Sequence, residues 1–262
     1  MVGYNPNQET EDMEVHHHSH SQGKKNWKSY IWEFVMLFLA VFCGFLAEYQ
    51  LEHILEHRRE IQYIETMIQD IKEDTVKLNT SLTDNIQKSS ALDSFLNTIY
   101  TLPYNDSSLR SMYYFYRKYL STRFGILFTK RTITQLKYSG GLRLIRNRNA
   151  SDSIVVYDEY CTIVERQLDG FADNYQLKAR EFSSKIFDSK YLLNYDRNNI
   201  DALLKTNTKV TLLSNDQILI KEYANWIYSA KAVLDNYIFL LKTHLQRAKR
   251  IIQFLKKEYD LD

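Results

Sequence analysis

Two prolines, seven glycines and two cysteines are few for 262 residues. So little Gly and Pro leaves few positions for tight turns and argues against a strand-rich meander. Two cysteines exclude a secreted disulfide scaffold. Cys43 lies inside an apolar run and Cys161 in a helical stretch far along the chain, so each reads as a small hydrophobe. A dominant charge is lacking as well. The 34 Lys and Arg against 32 Asp and Glu give a formal net charge of +2, without the basic excess of a nucleic-acid reader. No nucleic-acid partner is expected, no phosphate-loop spacing is present, and no cofactor is implied.

Aromatics are plentiful: 20 Tyr and 13 Phe supply ample apolar area for a core, each worth about 1.5–3 kcal/mol when buried. There is one long apolar run, within WKSYIWEFVMLFLAVFCGFLAEYQ at 27–50, and its residues 34–47 are uninterrupted by polar side chains. As a helix, residues 27–47 would rise about 31 Å, enough for a hydrocarbon core of about 30 Å. Trp27, Tyr30 and Trp32 at one end and Tyr49 at the other resemble an interfacial belt. We therefore expect one membrane-spanning helix at 27–48, with the lipid bilayer as a partner. A cleaved signal peptide fits less well, because the apolar stretch is late and long and carries Glu33. Glu33, about one turn inside the boundary, is the intramembrane polar residue. It can snorkel to the interface or hydrogen-bond to another helix in an oligomer. Lys24, Lys25 and Lys28 precede the run, and Glu48, Glu52 and Glu56 follow it. The positive-inside rule then puts the N-terminus in the cytoplasm and the main domain outside.

Residues 1–26 form a polar tail without apolar periodicity, expected to be disordered. It holds His16, His17, His18 and His20, which would take up a transition metal only opportunistically. Residues 49–102 are heptad-like. Ile54, Ile61, Ile68, Thr75, Leu82, Ser89 and Leu96 form one seam, and His57, Ile64, Ile71, Leu78, Asn85, Leu92 and Ile99 follow three later. Glu60, Glu65, Asp70, Lys72, Glu73, Asp74 and Lys77 lie between, as on a solvated face. A self-associating stalk and a long helix packed in its own bundle predict the same stripe. Pro103-Tyr104-Asn105-Asp106 signals a turn, with Ser107 or Ser108 available to cap the next helix, 109–122. Met112, Tyr113, Tyr116, Tyr119 and Leu120 would share its buried face. Thr129 can cap a helix to Tyr138, which Gly140-Gly141 ends before a short helical turn at Leu142–Ile145. Long periodic stretches follow at 151–187 and 215–259. The fold expected is all-α: a transmembrane helix continuing into a long stalk helix, then an antiparallel helical bundle over 103–262.

Two constellations carry possible chemistry. Residues 128–149, FTKRTITQLKYSGGLRLIRNRN, concentrate positive charge. Of these, Lys137, Arg143, Arg146 and Arg148 could contact an anion or lipid headgroup, or form a solvated basic face balanced by carboxylates elsewhere. His53-Ile54-Leu55-Glu56-His57 matches H-x-x-E-H, in which two imidazoles hold zinc beside a general-base carboxylate. Its place next to the membrane, with no pocket-forming domain before it, favours incidental spacing. His53, Glu56 and His57 are then weak metal candidates.

WEFVMLFLAVFCGFLAEYQLEH, RREIQYIETMIQDIKEDT, TITQLKYSGGLRLIRN and DSIVVYDEY together resemble an uncharacterised Bacteroidota family of single-pass, N-terminally anchored helical membrane proteins with a domain of unknown function. The match spans about the first eighty residues and about 129–160. The resemblance implies a Gram-negative inner membrane with the cell envelope beyond it, and it transfers no catalytic residues. Three functions then compete. The first is a non-enzymatic scaffold or accessory subunit that acts through a protein partner or a homo-oligomer of the stalk. The second is a periplasmic ligand-sensing bundle that signals through a partner. The third is a metal-dependent hydrolase using the H-x-x-E-H set.

Overall fold

The computed structural model describes residues 26–121 and 125–261, the side chains of 168–173 excepted. Outside these lie the tail to Lys25 with its histidines, Thr122 and Phe124, and the side chains of Leu168 and Phe171. Regular structure among the described residues is helical, apart from one isolated bridge between Phe187 and Leu212. The elements are α1 (Trp27–Tyr100), α2 (Asp106–Phe115), a π-helical turn (Tyr116–Leu120), α3 (Arg131–Tyr138), a 3-10 turn (Gly141–Leu144), α4 (Arg148–Ile186), a 3-10 turn (Ser189–Leu192), α5 (Asp201–Leu204) and α6 (Gln217–Glu258). The fold is all-α, as the periodicity predicts. The chain divides into two units, one ending at Leu55 and the other beginning at Glu56.

The first unit is the N-terminal part of α1. It contains the one segment among the described residues that is long and apolar enough to cross a membrane, and none of that segment is buried. Nine large apolar side chains from Phe34 to Leu46 are exposed, Leu37 at 71%. Leaving them in water would cost on the order of 15–25 kcal/mol, more than a typical domain's whole stability of about 5–15 kcal/mol. Phe34, Phe38 and Phe42 stack one turn apart, with ring centres 6.4 and 5.9 Å from each other. Past this run Tyr49, Leu51, Ile54 and Leu55 are exposed too.

The second unit is a bundle framed by α1 from Glu60 onward, α4 and α6. One core cluster joins Ile64–Leu78 of α1 to Ala150–Val164 of α4 and Tyr237–Leu255 of α6. The other joins Leu92–Ile99 to Tyr175–Ile186 and Ile220–Leu234. α4 thus runs parallel to α1, and α6 runs antiparallel to both. Ile64, Ile68, Ile71, Leu78, Leu92, Leu96 and Ile99 are all buried in these clusters. From Glu60 on, therefore, the heptad stripe packs within its own bundle. The interruptions are satisfied: Asn85 donates to the Ser81 carbonyl one turn back at 2.6 Å, and Ser89 donates across to Asp235 of α6 at 2.5 Å.

Three boundaries differ from expectation. Asn105, rather than Ser107 or Ser108, caps α2, its side-chain oxygen accepting the Ser108 N–H at 2.8 Å. The π-helical turn replaces the end of a regular helix, and its wider turn leaves every side chain from Tyr114 to Tyr119 half-buried. α4 starts at Arg148, capped by Asn147, whose side chain accepts the Ala150 N–H at 3.1 Å.

Candidate functional site

Three buried carboxylates of α1 meet residues 125–149 where that stretch packs on α1. Asp70 and Asp74 are one turn apart, on the same face of α1, and are 3% and 0% exposed. The solvated face expected for Glu60, Asp70 and Asp74 is therefore incorrect: all three are interior. α3 has no side-chain cap of its own. Asp70 accepts the Thr132 N–H at 2.9 Å and the Arg131 guanidinium at 2.7 Å. Asp74 accepts the Thr129 N–H at 2.8 Å and the Tyr157 hydroxyl at 2.9 Å, with Lys77 at 3.4 Å. Thr129 is thus a donor to α1 and not the cap; the capping carboxylates come from another helix. Glu60 works likewise, accepting the Arg146 N–H at 2.8 Å and the Tyr259 hydroxyl at 2.7 Å. Free amides at a helix start demand acceptors, and charged acceptors make the stronger bonds.

The four cations expected to meet an anion are placed as follows. Lys137 pairs with Asp158, Arg146 with Glu56 at 2.7 Å, and Arg148 with Asp152 at 3.7 Å. Arg143 lies under Gly140, where φ is 68° and an added Cβ would come 3.0 Å from the guanidinium. That left-handed position suits glycine on both counts. Neighbouring Lys130 and Arg131 pair with Glu165 and with Asp70 and Glu73. Most of this stretch's charge is matched by carboxylates of α1 and α4.

The H-x-x-E-H residues point to separate tasks. His53 sits edge-on to Tyr49, with ring centres 4.2 Å apart. Glu56 holds Arg146, and His57 Nδ1 lies 3.6 Å from Glu60. No cluster of three or more His, Cys, Asp or Glu placed to hold a metal occurs among the described residues. Glu33 is exposed within the apolar segment.

A second polar cluster lies deeper. Cys161 Sγ is 3.2 Å from His244 Nε2, and the imidazole stacks on Tyr157 at 4.9 Å and meets Phe128 edge-on at 5.2 Å. Cys161 is 3% and His244 0% exposed. Burial, then the Arg247 charge, lowers the His244 pKa to about 4, while burial, then Asp74, pushes the Cys161 thiol well up. Burial likewise raises the Tyr157 phenol. Near neutrality the pair is thiol and neutral imidazole, not the thiolate–imidazolium form that makes a cysteine nucleophilic. Beside it, half-buried Arg247 sits over Tyr160, its guanidinium carbon 3.2 Å from the ring centre.

By sequence alone Cys161 reads as a plain hydrophobe, and His244 and Arg247 carry no motif. One signal for His244 was available: it falls three after Leu241 and four before Ala248, on the apolar stripe of α6. Asp74 carried a similar hint, lying three residues past Ile71 and four before Leu78. Compared with protein-family models, curated proteins and solved structures, the chain matches none.

Proposed function

We propose that this is a membrane-anchored helical protein of a bacterial cell envelope, acting without catalysis as a scaffold or accessory subunit. In this reading α1 crosses the inner membrane once near its start. The N-terminal tail is cytoplasmic and the bundle from Glu56 is periplasmic, as the Lys24, Lys25 and Lys28 flank favours. The resemblance to the Bacteroidota family supports the same placement. The observation that carries the reading is the uncovered apolar run of α1, in one chain with a bundle whose buried carboxylates hold its own loops. The contact surface for a protein partner or a second copy is the exposed stretch Tyr49, Leu51, Ile54 and Leu55, which lies outside the core clusters.

Paired reporter fusions at the two termini test the placement. A C-terminal fusion active only in the cytoplasm would remove the periplasmic assignment. Crosslinking in intact membranes tests the partner: recovery of monomer alone, under conditions that preserve complexes, counts against the scaffold.

A further inference from the structure

Beside the Cys161–His244 cluster, the first turns of α4 and the last third of α6 enclose an open groove of about 560 Å³, within the range of small-molecule sites. Its walls are of two kinds. Val156, Ile251 and Phe254 are apolar, and Arg247 and Arg250 are cationic. These two arginines differ from the cations of the bundle that form ion pairs. Lys77, Lys118, Lys130, Arg131, Lys137, Arg146, Arg148 and Lys231 each meet a carboxylate. Arg247 meets the face of Tyr160, and Arg250 donates at 3.4 Å to the Gln246 carbonyl. Among the described residues, neither forms an ion pair. One acidic residue, Asp152, reaches the groove, and Arg148 at 3.7 Å offsets it. Asn149, which lines the groove, lies in the first turn of α4, at the positive end of that helix.

We propose that this groove binds an amphipathic anion, a molecule with a carboxylate or phosphate-ester head and a short apolar body. Planar guanidinium groups bind such heads through paired hydrogen bonds, and Arg247 is already held in position by Tyr160, so little side-chain entropy is lost on binding. The apolar body lies along Val156, Ile251 and Phe254. The head could be that of a free single-chain acid or of a membrane phospholipid; the recognition chemistry is shared. The groove belongs to the bundle alone, so this inference does not rest on the scaffold reading.

The test is calorimetric titration of the full chain in phosphatidylcholine nanodiscs, with empty discs subtracted. The probes are hexyl phosphate, inorganic phosphate and hexanol. Hexyl phosphate should bind at least tenfold more tightly than either fragment. Arg250→Gln, at an exposed position, should weaken it about tenfold, and Arg247→Gln with Arg250→Gln should abolish it. Arg180→Gln, on an exposed part of α4, should leave it unchanged. Loss of hexyl phosphate binding in discs that contain phosphatidylglycerol assigns the site to a lipid headgroup, and unchanged binding assigns it to a soluble anion. Equal binding of all three probes, or binding indifferent to Arg250→Gln and to the double substitution, overturns the proposal.

Discussion

His244 is a fully buried histidine on the apolar stripe of α6. Folded, it titrates near 4 instead of 6.5. As pH falls from 6.5 toward 4, the unfolded chain takes up a proton that the folded chain refuses. Stability is therefore lost across that window and levels off below it, by about 3 kcal/mol in total. Urea denaturation at stepped pH should show this loss in the wild type, and His244→Phe should remove the His244 component. Lys88 is the second case. It is 6% exposed, with its ammonium 5.2 Å from the Tyr175 ring centre, and burial, then Arg197, lowers its pKa from 10.5 to about 7. Below pH 10.5 the unfolded chain is protonated and the folded chain resists, so the side chain costs stability that grows down to about pH 7. Lys88→Met should therefore raise stability at pH 7 by a few kcal/mol and have much less effect above pH 10.5. Denaturation midpoints at the two pH values check it.

At the scale of the element, α3 is an eight-residue helix with no cap of its own, too short to persist alone. Its start depends on α1. Asp70→Ala should leave the Thr132 amide without its acceptor, and Asp74→Ala should do the same to Thr129 and to the Tyr157 hydroxyl. Each should cost about 3 kcal/mol, whereas Glu65→Ala, at an exposed position on α1, should change stability by less than about 0.5 kcal/mol. Hydrogen exchange gives the sharper readout: the amides of 129–134 should lose protection in the two Asp variants while α6 keeps its own. If the α3 amides exchange at wild-type rates in Asp70→Ala, α1 does not cap α3.

For the whole molecule, the decisive contrast is between an apolar segment with no buried residue and a bundle with two closed cores. An arginine at the centre of a membrane helix costs about 2.5–3.5 kcal/mol on the insertion scale. Phe38→Arg should therefore move a measurable share of the protein out of the alkali-resistant membrane pellet. Tyr228→Arg, at an exposed position of α6, should not. Equal pellet fractions for the two would mean that the segment does not span. Ligand occupancy of the α4–α6 groove would bring the sensing alternative forward, since that groove lies beside the buried imidazole.

Periodicity and composition were enough for the all-α class, the apolar segment, the long helices α4 and α6, and the break after Tyr100, because helix formation and apolar length are local properties. The same pattern left open whether the stripe of α1 faced another chain or its own; burial of Ile64, Ile68, Ile71 and Leu78 against α4 and α6 decides it. Polar residues were the least legible. Asp70 and Asp74 look like surface carboxylates until α3 brings its free amides to them, and His244 looks like a polar interruption until Cys161 and Tyr157 surround it. A carboxylate enters a core only when donors distant in the chain meet it there. Such a meeting, at 55 residues' separation for Asp74 and Thr129, is a property of the tertiary fold alone.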